Sequence, residues 1–126
     1  MQRPASEYDL TFGDRGEYLL ATLRAVSVRS EMAPDILREI RTEMMGARTG
    51  RLLLRTEIAH TPSEADTLKI MNEVLRALPG MKIAFVNEDP NHSEVLRLAA
   101  ALGSQSGEEH RSFSNVAAAE KWLLES

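Results

Sequence analysis

Two histidines, several acids and three further polar residues fall in two short stretches of this sequence. Glu57, His60 and Thr61 form the first; Asn87, Glu88, Asp89, Asn91 and His92 form the second. Imidazoles and carboxylates move protons near neutral pH and hold divalent metals. His60 and His92, with Glu57 or Asp89, are the set from which such a centre would be drawn. No His-x-x-His and no HExxH fixes a ligand spacing, so no metal and no cofactor is expected. An enzyme or anion-binding protein built on Glu57, His60, Asp89 and His92 requires that these four converge within a few ångströms. His110, in a weak apolar stretch, reads as a surface or half-buried histidine.

Nucleophilic catalysis finds little support. The chain has no cysteine and no G-x-S-x-G elbow. Disulfide scaffolds, thiolate zinc sites and iron–sulfur centres are excluded with the cysteines. Gly13 and Gly16 sit between two strand patterns, not between a strand and a helix, so they do not form a phosphate loop. A response-regulator reading needs an aspartate ending a buried strand; the residues there are Arg55 and Asn87.

These residues must be positioned by elements that the periodicity reveals. Tyr8, Leu10 and Phe12 alternate with Asp9 and Thr11, the period of a half-buried strand. Gly13 to Gly16 is a turn, and Tyr18 to Ala25 a second apolar run, so the two predict an antiparallel hairpin. Ile36, Leu37, Ile40 and Met44 fall at helical spacing; Pro34-Asp35 suits a first turn and Gly46 or Gly50 an end. Arg51 to Arg55 predicts a third strand. Thr61-Pro62-Ser63-Glu64 predicts a helix start capped by Thr61, with Leu68, Met71, Leu75 and Leu78 as its buried stripe. Lys82 to Val86 reads as a strand buried on both faces. Asn91-His92-Ser93-Glu94 starts a helix that Gly103 ends. Glu108 to Phe113 is a last strand, and Ser114 or Asn115 caps a final helix with Val116, Ala119, Trp122 and Leu123.

The order β-β-α-β-α-β-α-β-α is α/β: a single mixed, mostly parallel five-stranded sheet with four helices, in one domain over residues 1–126. Residues 1–6 are expected to fray. At 126 residues, 43% hydrophobic and 27% charged, the chain is large enough to bury its own core. A net charge of −4 argues against a nucleic-acid partner. The lack of a long apolar run argues against a membrane span, and with no leader pattern near Met1 a cytoplasmic location is expected.

Arg111-Ser112-Phe113 followed by Ala117 to Trp122-Leu123, the strand Lys82-Ile83-Ala84-Phe85-Val86 and the order of elements from about Tyr8 to Leu124 resemble the SpoIIAA-like family. These are small bacterial relatives of the sulfate-transporter and anti-sigma-factor-antagonist (STAS) domains. The resemblance implies a β–α superhelix with strands in near-sequential order. It also implies a non-enzymatic regulatory or binding module for a protein partner or a small hydrophobic ligand. Antagonists of that family carry a phosphorylated serine, typically beside an aspartate, after the third strand. Here no aspartate–serine pair is present, and Ser63 and Thr61, the nearest hydroxyls, read equally as capping residues.

In an open parallel sheet, ligands favour the crevice beyond the carboxyl ends of the strands. That edge gathers Glu57, His60, Thr61, Asn87, Asp89, Asn91 and His92, and two helix N-termini point at it. With strands in sequential order, helices crowd one face of the sheet. An apolar remainder on the other face would need cover, and a homodimer is the cheapest. Seven of twelve arginines lie between Arg24 and Arg55, a solvated face or a protein-binding one.

Overall fold

The computed structural model describes residues 7–125; the expected fraying of residues 1–6 lies outside them. One five-stranded sheet, in the order β1-β2-β3-β4-β5, organises the chain. β1 (Tyr8–Asp14) and β2 (Leu19–Ser27) form the antiparallel hairpin, with Tyr8 opposite Ala25 and Asp14 opposite Leu19. β1 runs two residues further than the alternation suggests, so the turn begins at Arg15. Gly16 supplies its positive φ of 85°, and its N–H donates to Asp14 Oδ1 at 2.8 Å. β3 (Arg51–His60), β4 (Lys82–Val86) and β5 (Glu109–Phe113) join in parallel.

Each helix lies between two strands except the last. α1 (Ala33–Ala47) follows a 3-10 turn, Ser30–Met32. It runs through Gly46, stops short of Gly50, the other expected end, and is capped by Arg48 in the left-handed region (φ 56°, ψ 42°). The Arg48 N–H is then satisfied by Met44 O. α2 (Glu64–Ala77) is capped by Ser63, not Thr61, because the Ser63 hydroxyl accepts from Asp66 N at 3.1 Å. Its buried stripe is Thr67, Met71, Val74 and Leu78, whereas Leu68 is 47% exposed. α3 (Ser93–Gln105) follows a second 3-10 turn, Pro90–His92, and continues through Gly103. α4 (Val116–Leu123) is capped by Asn115, whose Oδ1 accepts from Ala118 N.

α1, α2 and α3 pack on one face of the sheet, over Leu19, Ala21, Leu52, Ile83 and Phe85. α4 covers part of the other face, where Leu53, Ala84, Val86, Ala119 and Leu123 are closed off. Tyr18 pins it by donating to Glu120 Oε2 at 2.6 Å. Burial first, then this bond, pushes the Tyr18 phenol up to about 12. At the other end of α4, Lys82 Nζ donates to Trp122 O at 2.8 Å and to Glu125 O at 3.0 Å, and lies 4.7 Å from the centre of the half-buried Trp122 ring. A cation there offsets the negative end of the helix.

The rest of that face is not the apolar patch expected. Asp9, Arg24 and Glu57 stand side by side on β1, β2 and β3, and Arg55 and Glu88 continue the row. Spacings run from 3.7 Å at Asp9–Arg24 and 3.0 Å at Arg24–Glu57 to 2.6 Å at Arg55–Glu88. Exposed pairs of this kind contribute little stability. They keep this row of the open face wet, beside the exposed Val26.

β5 places His110 against α3, and here too the expectation is corrected. His110 is 4% exposed, edge-on to Phe85, and neither ring nitrogen has a hydrogen-bond partner. Its position opposite Ile83 aims the ring into the packed face of the sheet, not outward. Burial lowers its pKa from the ordinary 6.5, with Glu108 opposing. The unfolded chain therefore binds this proton at higher pH than the folded one. Stability is complete above pH 6.5 and falls with decreasing pH toward the lowered folded value, by at most about 1.4 kcal/mol per pH unit. Urea unfolding at several pH values checks this: His110→Leu should flatten that part of the slope, and an unchanged slope would assign it elsewhere.

Candidate functional site

β3 holds ten residues, twice the length of β4, and this mismatch makes the site. β4 pairs only with Arg51 to Arg55 of β3, while β2 pairs with β3 as far as His60. Beyond Arg55 the β4 side of β3 has no strand neighbour. Leu54, Thr56 and Ile58 keep the strand alternation and present one face to the helices. The helices bridge the gap and leave a cavity of about 120 Å³. Its walls are Ile36, Leu37 and Ile40 of α1, Met71 and Val74 of α2, and Leu96 of α3, over a floor that includes Leu54, Ile58 and Phe85. Among the described residues no lysine, arginine, aspartate or glutamate lines it.

A polar string closes the end of the cavity nearest the strand termini. Asn87 is buried; its Nδ2 donates to Thr56 Oγ1 at 3.0 Å, and its Oδ1 accepts from Asp89 N at 2.8 Å. Thr56 Oγ1 in turn donates to Val86 O at 3.3 Å. Asp89 Oδ1 accepts from Asn91 N at 3.0 Å, and Asp89 Oδ2 lies 3.6 Å from His92 Nε2. His92, 3% exposed, shares a hydrogen bond of 3.0 Å between Nδ1 and Thr61 Oγ1. The string thus ties the start of α2 to the turn before α3. Thr61→Val should cost about 1 kcal/mol, because it leaves a buried ring nitrogen unpaired. Thermal unfolding measures it; a variant as stable as the parent would show that the bond is not made in solution.

Of the residues singled out by type and spacing, Asn87 and His92 line the cavity, and Thr61 and Asp89 hold His92 in place. Glu57 and His60 do not join them. They belong to β3, not to a loop, because the Arg55–Glu57 charges alternate with Thr56 and Ile58 in strand period and only interrupt the apolar run. Glu57 accepts from Arg24 on the opposite face of the sheet, and His60 is exposed at the strand end. Asn91 is exposed above the turn. The convergence required for a four-residue centre is therefore absent. Among the described residues no three His, Asp or Glu side chains come together in a metal-holding arrangement. The helix starts also differ from an anion cradle: Ser63 Oγ occupies Asp66 N, and Asp89 Oδ1 occupies Asn91 N. Ser63 is exposed, with its hydroxyl in the cap; Thr61 holds His92.

No family model, curated protein or solved structure matches this chain. The site must be read from its own geometry. Among the lining residues, sequence reasoning passes over Thr56 and Ile58, and reads Met71 and Leu96 only as helical core. A continued period of two through Leu54, Thr56 and Ile58 is the signal for the first pair. The helical pair shows only ordinary core spacing. No helix among the described residues is long and apolar enough to cross a membrane.

Proposed function

We propose that this protein is a non-enzymatic binding module of the SpoIIAA-like kind, holding a small hydrophobic ligand in the cavity under α1, α2 and α3. The observation that carries this reading is an apolar cavity without a charged wall, at the carboxyl edge of a parallel sheet. A largely apolar cavity of this order accepts a molecule of about benzene's size. It is well below the roughly 300 Å³ of a carrier for drug-sized or lipid-sized ligands, so a bulky lipid is not the cargo in this conformation. The sequential strand order is the architecture that the family resemblance implies. The lack of converging titratable groups supports binding over catalysis. Asn87 through Asp89 to Thr61 links the cavity to exposed loop residues Glu88 and Asn91, where a protein partner would sense occupancy.

The test is extraction of the folded protein, purified from its own cells, followed by gas-chromatographic mass spectrometry. One apolar compound near one equivalent per chain is the expected result. An empty extract, together with cavity methyl resonances that do not respond to xenon, would end this reading.

A further inference from the structure

The polar groups of the cavity carry information about what can enter it. Four lining residues have hydrogen-bonding side chains: Thr56, Thr67, Asn87 and His92. Each is already engaged inside the protein. Thr56 donates to Val86 O and accepts from Asn87. Thr67 Oγ1 donates to Ser63 O at 2.8 Å. Asn87 Oδ1 is taken by Asp89 N. His92 has Thr61 on one nitrogen and the Asp89 carboxylate 3.6 Å from the other. What remains is the second N–H of the Asn87 amide and His92 Nε2, for which Asp89 Oδ2 at 3.6 Å stands too far for a hydrogen bond.

We infer that the cavity selects uncharged apolar molecules of about benzene's size and rejects their carboxylated analogues. This inference rests on the hydrophobic-ligand reading above and adds the ligand's chemical class. Bringing a carboxylate into an apolar site strips its hydration, and only paired charges or several donors compensate for that. No cationic arginine or lysine lines this cavity. Among the described residues His92 is the one imidazole in the lining, and the Asp89 carboxylate already stands beside it. An incoming anion would meet that carboxylate as well as His92. One amide hydrogen and a ring nitrogen that already faces a carboxylate do not replace the lost water. The selectivity comes from polar groups that are mostly engaged within the protein, so most of the wall meets the ligand with carbon.

Methyl-resolved NMR of the intact chain, titrated in parallel with benzene and with benzoate at pH 7, reads this directly. Benzene should shift the Ile36, Ile58 and Met71 methyls saturably. Benzoate should bind at least about 100-fold more weakly. Ile58→Phe fills the cavity and should abolish the benzene shifts. If that variant does not fold, Leu96→Phe serves the same purpose from α3. Benzoate binding as tightly as benzene, or more tightly, would overturn the selectivity while leaving a hydrophobic pocket in place. No saturable response to either compound in the folded parent would overturn the pocket reading and this inference with it.

Discussion

Gly103→Ala should destabilise the protein by about 3 kcal/mol, the upper part of the range for overpacking. That corresponds to a fall of about 10 °C in melting temperature for a chain of this size. A Cβ on Gly103 would lie 1.8 Å from Nδ1 of His110, 2.4 Å from its Cγ and 2.7 Å from its Cε1. Three atoms of one ring stand in the way, so turning a flexible tip cannot clear the space. The ring is itself enclosed by α3 and Phe85. Either α3 lifts from β5 or His110 leaves its position. Gly46 makes the control, since it is also within a helix but a Cβ there meets nothing within 4 Å. Gly46→Ala should raise stability by about 0.5–1 kcal/mol from helix propensity alone. Circular-dichroism melts of the two variants should therefore move in opposite directions. Adding His110→Ala to Gly103→Ala should recover part of the loss, because the two positions share one contact. A Gly103→Ala variant that melts with the parent would disprove the close approach of α3 to β5.

Leu123→Ala is the second large effect, again about 3 kcal/mol. Leu123 is fully buried under α4, in the cluster with Leu53, Ala84 and Val86. Removing three carbons from such a site loses their transfer free energy and leaves a void. α4 has only eight residues, too few to be stable alone, so its packing on the sheet is what keeps it helical. The urea midpoint should fall with little change in slope if α4 stays docked; a changed slope would report its release. Leu124, next in sequence and 41% exposed, gives the contrast: Leu124→Ala should stay within about 0.5 kcal/mol of the parent. Equal losses at the two positions would contradict the placement of α4.

The sheet is legible in the sequence because its signals are local. The Tyr8, Leu10, Phe12 alternation marks the hairpin, and Pro62, Pro79 and Pro90 punctuate the later elements. What escapes is set by contacts between distant segments. Gly103 reads as a helix stop until β5 brings His110 against it. Gly46 reads the same way until Arg48 takes the left-handed position instead. Charges at Arg55 and Glu57 hide the second half of β3, because they face the ion-pair row while Thr56 and Ile58 face inward. The carboxyl edge of the sheet is predictable from topology, and Asn87 and His92 are found there. The cavity is not predictable, since it arises where strands and helices distant in sequence fail to fill the space beside an overlong strand.

Strand order has a further consequence for biosynthesis. Every strand neighbours the one made just before it, so each pairing can form as the nascent chain leaves the ribosome, without waiting for a distant segment. Among the described elements α4 breaks this succession: it returns to seal Leu53 and Val86, which lie well upstream. Until α4 has emerged and docked, those side chains are open to water, and in that interval the growing polypeptide is most prone to stick to others.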